Sequence, residues 1–312
     1  MTAAAPGQPL RPSDLQGSPR RRRKEGTIRT LFFSAAALAV LISVLIVLSL
    51  VTEAAIFLTK VDIGDLFSGS WQPRSGNYDI TTLIAGTTVI AVIAMLIATP
   101  LGLGAAIYLA EYASPRLRGW LKPILEILAG IPSVVLGFFA LAFISPEIIQ
   151  KVFSGASIFS LAAAGLGVGI LTIPLVAAVS EDALRSVPNA LREASVGMGA
   201  KKVTTTVKVV LPAAVSGLVA AFIISVSRAI GETMVVFIAA GAGGGSLFNL
   251  DPLSSGITMT AAMASQAAGT DAVRGAGLTY QSLFFVGLVL FSITFVLNLI
   301  GDVFVRRVRQ KY

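Results

Sequence analysis

Six apolar runs, near residues 31–51, 81–109, 121–145, 158–179, 211–241 and 280–304, organise the chain. Each reaches the roughly 20 residues that a helix needs to cross about 30 Å of hydrocarbon, so six membrane-spanning helices are predicted. Leu, Ala, Val and Ile fill the runs without the strict alternation over about ten residues of a spanning β-strand. The fold class that follows is all-α integral membrane. The run after Arg20–Lys24 is too long for a secretory h-region and has no clear small-residue cleavage site, so it is read as a retained anchor. Residues 1–26, rich in Pro, Ser, Gly and Arg, have no apolar face and are expected to be a disordered basic tail. The first helix and an external loop then occupy 27–79, and a short tail closes the chain at 306–312.

Composition agrees with this reading. Mean hydropathy is +0.84, with 55% hydrophobic and 13% charged residues, far from a soluble domain. The net charge of +8 does not point to nucleic acid, because the basic residues gather beside alternate span ends. They are Arg20 to Lys24 before the first span, then Arg116, Arg118 and Lys122, then Arg185, Arg192, Lys201, Lys202 and Lys208, and finally Arg306, Arg307, Arg309 and Lys311. The other connections carry only Lys60 with Arg74, then Lys151, then Arg274. By the positive-inside rule both termini lie in the cytoplasm, consistent with an even number of spans. The sequence has no Cys and no His, which excludes disulfides, thiolate or imidazole metal sites and His-based acid–base catalysis. No catalytic residue and no metal site is expected. An intramembrane enzyme lacks any Ser/Lys or paired-carboxylate constellation to support it.

Prolines interrupt three consecutive runs at Thr99-Pro100, Ile131-Pro132-Ser133 and Thr172-Ile173-Pro174. Each removes a backbone donor and kinks its helix. Broken backbone at membrane depth is tolerated where it is buried or faces water, and Thr99, Ser133 and Thr172 are candidates to satisfy the freed carbonyls. The Gly-rich segment Gly241–Ser246 has neither the lysine nor the strand of a phosphate-binding P-loop, so it reads as an exterior connection. No Walker A pattern occurs in the chain, and energy must come from a partner or a gradient.

Arg228 and Glu232 fall inside the fifth run. An ionisable group at mid-membrane costs roughly 2.5–3.5 kcal/mol on insertion scales, which calls for a polar pathway or a compensating partner. Four residues apart, the two would share one face of a continuous helix. Two readings stand: a self-neutralising buried pair, or an anion pathway in which Arg228 meets the anion.

Between the fourth and fifth runs, Pro188 and Gly199 bracket a short predicted helix at about 188–199. Alone, this could be an amphipathic surface helix or a docking element. Its residues Glu193-Ala194-Ser195, then Gly199, then Val209 and Leu211-Pro212, resemble the E-A-A, G and I-x-L-P spacing of ABC importer permeases. Ser195 stands where that family usually has Ala, and Val209 where it often has Ile. The resemblance implies a type I ABC importer permease domain over 80–305. In it Glu193, Ala194, Ser195 and Gly199 form the coupling helix that docks on a cytoplasmic ATPase, followed by Pro212.

A second resemblance narrows the substrate. Ser227-Arg228-Ala229-Ile230-Gly231-Glu232-Thr233-Met234 is similar to the R-A-x-G-E-T-M segment of phosphate-specific importer permeases, and Ile131-Pro132-Ser133-Val134-Val135 to their I-P-S-V-V segment. Glu232-Thr233-Met234-Val235 resembles the C-type (PstC-like) subunit more than the A-type. The resemblance implies a prokaryotic inner-membrane heterodimer with a second permease, two ATPase copies carrying ATP and Mg, and an external phosphate-binding protein. It also implies a substrate pathway that includes Arg228, Glu232, Thr233 and Ser133. Arg228 would hold phosphate oxygens, and Glu232 would neutralise Arg228 in the empty site and accept the hydrogen bond of the phosphate hydroxyl. The alternatives are a permease for molybdate or sulfate, and an ATP-independent ion-coupled transporter or channel.

Overall fold

The structure, a computed structural model, describes residues 19–241, 246–268 and 278–308. Among the described residues, six helices are long and apolar enough to cross a membrane, as expected. Helix α1 (Pro19–Lys60) is already formed at Pro19, ahead of the boundary at residue 27 drawn from the sequence. Residues 1–18, Arg274, Arg309, Lys311 and the Gly-rich stretch 242–245 lie outside the described residues. The chain divides into a unit ending at Leu50 and a second from Val51 onward. In the first unit, α1 presents exposed side chains from Lys24 through Ile46.

The second unit is built on a helix pair, α2 (Ile80–Tyr112) and α5 (Leu161–Arg185), which pack along most of their length. Small residues make this approach possible. A Cβ on Gly102 would lie 2.6 Å from Val176 Cβ, and one on Gly165 2.7 Å from Ile93 Cγ2. Without a hydrophobic difference between lipid and side chain, such dispersion contacts hold membrane helices together. Pro100 and Pro174 sit inside these helices, which continue past them. Thr172 bonds the Val168 carbonyl at 2.7 Å, not the Ile170 carbonyl that Pro174 leaves free. Buried Thr99 finds no partner among the described residues.

Two expected spans end elsewhere. The run 121–145 is not one helix: α3 (Pro115–Ala129) stops at Gly130, and α4 (Ser133–Val152) starts after Pro132. Helix α3 mixes Arg118, Lys122 and Glu126 with its apolar residues, so α4 is the spanning element. The run 211–241 is also divided. Helix α7 runs Lys202–Ile230, and a separate short helix α8 (Met234–Ala239) follows. Within α7 the Leu211 amide bonds the Thr206 carbonyl five residues back, a π turn at Thr206–Val210 just before Pro212. A second π turn closes α2 at Tyr108–Tyr112. Helices α6 (Asn189–Gly197), α9 (Met259–Ala268) and α10 (Thr279–Val308) are the other α-helices among the described residues.

Strands β1 (Ser70–Gln72), β2 (Asn77–Tyr78) and β3 (Ser246–Leu247) form a small antiparallel sheet in the order β2-β1-β3. Phe57 meets Tyr78 edge-on and stacks on Phe285, both at 5.1 Å between centroids, and Trp71 is fully buried beneath them. Asp79 opens α2, accepting from the Thr82 amide at 2.9 Å and the Thr81 hydroxyl at 2.7 Å. Burial pushes its carboxyl up, but the hydrogen bonds from Thr82 and Thr81 outweigh that and hold it below the usual carboxylate range. At the opposite end, Ala106, Leu184, Val187, Val210 and Ala214 form a second core under α6.

Candidate functional site

Arg228 lies in the last turn of α7 and lines a cavity of about 310 Å³ between α3, α5 and α7. Leu171 and Pro174 form part of its apolar wall, while Lys122, Glu126 and Glu181 bring charge to it. Glu181 is 1% exposed and takes three cations: Arg118 in close contact, Lys122 at 3.6 Å and Arg185 at 3.8 Å. A buried carboxylate survives only with such compensation. Arg228 is exposed, lines the cavity and makes no ion pair among the described residues. Its planar fork of donors is suited to two oxygens of one anion.

The expected pairing of Arg228 with Glu232 is not formed. The helix ends at Ile230, and Gly231 caps it, so the four-residue spacing no longer places both groups on one face. Glu232, 9% exposed, turns instead to the start of α8, where Oε1 accepts from the Met234 amide at 3.2 Å and the Val235 amide at 3.4 Å. Free amides at a helix start cannot be left bare in hydrocarbon, and a negative charge suits the positive end of the helix. The Glu232 carbonyl accepts from Thr260 Oγ1 at 2.7 Å, tying the break to α9. Thr233 Oγ1 bonds the Gly231 carbonyl at 3.3 Å, and Ser133 begins α4. These three are not among the residues that line the Arg228 cavity. They belong to one neighbourhood nonetheless, because α4 packs on α8 where a Cβ on Gly137 would lie 3.1 Å from the Met234 carbonyl oxygen.

The short helix predicted before the fifth span is α6. Pro188 precedes it, and Gly199 ends it at φ +79°, a left-handed conformation that glycine adopts without strain. The Gly199 amide bonds the Val196 carbonyl and Ala200 the Ser195 carbonyl, closing the last turn. Glu193, Ala194 and Val196 are exposed, and Met198 is 88% exposed. The opposite face is fastened down. Ser195 Oγ lies 2.9 Å from Thr205 Oγ1 at the start of α7, a contact that the usual alanine could not make. Pro212 follows on α7 immediately behind the π turn.

Arg192 is the principal fastening, and the sequence reading had counted it only toward topology. Its Nη2 pairs with Glu111 Oε1 at 2.9 Å and bonds the Leu184 carbonyl at 2.8 Å, and Nη1 donates to the Val187 carbonyl. One side chain thus joins α6 to the π turn of α2 and to the end of α5.

This arrangement has relatives. Residues 98–310 match the family of binding-protein-dependent transport system inner membrane components. The chain belongs to that family. It is 31% identical over 264 residues to the phosphate transport system permease protein PstC of Pasteurella multocida (strain Pm70), covering 79% of this chain and 80% of that protein. PstC of Xylella fastidiosa (strain Temecula1) is 29% identical, with 94% of both chains covered. A probable ABC transporter permease protein, YqgH of Bacillus subtilis (strain 168), is 36% identical over 173 residues, 55% of this chain and 56% of that protein. Among solved structures, a bacterial ABC transporter involved in the import of the acidic polysaccharide alginate superposes with a TM-score of 0.62 at 16% identity, over 93% of this chain and 100% of that one. The MetNI methionine ABC transporter gives 0.55 at 23%, over 80% and 98%. The fold is that of a type I ABC importer permease, and this family member is a multi-pass membrane protein and a transport component.

Proposed function

We propose that this chain is the C-type permease subunit of an ATP-driven importer and forms its half of the passage for inorganic phosphate. The observation that carries the reading is Arg228, a guanidinium with no ion pair among the described residues on the wall of a cavity between α3, α5 and α7, in a chain whose long alignments include PstC proteins. In this reading Arg228 grips the anion through paired oxygens, and Glu232 acts first as the cap that keeps the α7–α8 break in place. With that carboxylate engaged by two amides, Glu232→Gln retains an acceptor and is tolerated better than Glu232→Ala.

The remaining parts follow from the same reading. Both termini and α6 lie in the cytoplasm, supported by the basic residues around α6. The exposed face of Glu193, Ala194 and Met198 receives an ATPase dimer that carries ATP and Mg. A second, homologous permease completes the passage, and a phosphate-binding protein meets the strand-bearing end. When the ATPase closes, movement of α6 passes through Arg192 to α2 and through Ser195 and Thr205 to α7. Helix α7 begins beside α6 and carries Arg228 in its last turn, roughly 40 Å along the helix at 1.5 Å per residue.

The test is ATP-dependent uptake of labelled phosphate by vesicles holding the whole complex, with sulfate and molybdate as competitors. Uptake should require ATP, resist both competitors and collapse in Arg228→Lys while the ATPase still co-purifies. Full uptake by that variant, or preference for another oxyanion, would overturn the proposal.

A further inference from the structure

We infer that Lys122 is a second anion contact in the passage, used after Arg228, and that Glu181 occupies it as an internal substitute anion when no substrate is present. The inference rests on the proposed transport of an oxyanion past Arg228. Lys122 and Arg228 line the same cavity of about 310 Å³, although one comes from α3 and the other from α7. Lys122 and Glu126 also line a second, more open groove of about 400 Å³ with Arg118, along α3. These two shared residues connect the Arg228 cavity to the open surface along α3. An anion leaving Arg228 in that direction meets Lys122 next.

The charges fit a passing anion. The cavity wall itself balances Lys122 and Arg228 against Glu126 and Glu181, and Arg118 and Arg185, which reach Glu181 from outside the lining, leave the surrounding cluster with two positive charges in excess. Glu181 is held most closely by Arg118, while Lys122 stands at 3.6 Å and keeps 38% of its side chain exposed. Arg185 is looser still, at 3.8 Å with 47% of its side chain exposed, but it does not line the cavity; of the three cations on Glu181, Lys122 is the one on the cavity wall and so the one that can change partners there. Its ammonium is a compact charge on a flexible stem, able to swing from a fixed carboxylate to a moving oxyanion. Competition from Glu181 keeps the anion from settling there, as release into the next compartment requires.

This chain has no native cysteine, which allows a direct test in vesicles holding the complex assembled with cysteine-free partner subunits. Lys122→Cys should co-purify with the ATPase and lose at least tenfold of phosphate uptake. Treatment with an aminoethyl thiosulfonate, which restores an ammonium at that position, should recover uptake, whereas a methyl thiosulfonate should not. Inorganic phosphate should slow labelling of this cysteine several-fold. Loss of co-purification would mark Lys122 as structural and overturn the inference, as would wild-type uptake, recovery with the neutral reagent or absence of phosphate protection. Arg228→Lys run in parallel separates the two ideas: if it stops uptake while Lys122→Cys does not, only the second contact is wrong. If Arg228→Lys transports normally, the reading of the passage itself fails.

Discussion

Replacing Arg192 with alanine isolates the fastening that holds α6 to the bundle. The change removes an ion pair to Glu111, whose side chain is only 7% exposed, and the bonds to the Leu184 and Val187 carbonyls. Stranding one member of a buried pair costs about 3–5 kcal/mol. Arg192 itself keeps 20% of its side chain in solvent, which favours the lower end, about 3 kcal/mol. At about 1.4 kcal/mol per factor of ten, the population with α6 detached should rise roughly a hundredfold. Hydrogen exchange across residues 189–199 in the assembled complex reads that population directly. The amides of α6 should exchange about a hundred times faster, with little change in α9. ATP hydrolysis should persist while phosphate imported per ATP falls. A double-mutant cycle with Glu111→Ala should give a coupling of about 1–3 kcal/mol, as for contacting residues. Exchange within twofold of wild type, or simple additivity of the two substitutions, would refute the argument.

Three further outcomes are expected. Gly102→Ala drives a Cβ to 2.6 Å from Val176 and should lower the detergent melting temperature, since overpacking costs about 1–3 kcal/mol; Gly104→Ala, two residues on in open space, should leave it unchanged or raise it slightly. Gly199→Ala forces a left-handed residue to carry a Cβ and should weaken ATPase co-purification through a cost of about 1 kcal/mol in α6. Because the folded-state pKa of Asp79 is depressed, its stabilisation is full above the unfolded value near 4 and is lost as pH falls through the folded value. Wild type should therefore lose melting temperature below about pH 4 more steeply than Asp79→Asn, and equal slopes would remove Asp79 from the account.

Hydropathy located six spans because spanning length is a local property of the chain. It misplaced the third because Leu121, Ile124, Leu125, Ile127 and Leu128 were summed with the apolar residues after Pro132, although Lys122 and Glu126 mark the first part as belonging to a separate helix. The Gly130-Ile131-Pro132 punctuation was present and was read as a kink instead of an end. Similarly, the Arg228–Glu232 pairing presumed a continuous helix, and Gly231 was the only local sign of the break. The short helix at Asn189–Gly197 was legible because its glycine, proline and small residues are adjacent in sequence. Glu111 and Arg192 lie 81 residues apart, and Glu181 draws Arg118 and Lys122 from another helix. No local pattern announces such partners, since they are chosen by the fold.

The placement of Arg192 next to Glu193 has an evolutionary consequence. Neighbours in sequence, they point to different duties: the arginine is spent on the inside of the subunit, while the glutamate, with Ala194 and Met198, is open to the outside. In the proposed assembly, substitutions on the outer surface change which motor the permease accepts without loosening the internal linkage made by Arg192. On that proposal, duplicated transporters of this architecture can exchange motors and diverge in partnership while inheriting the same linkage.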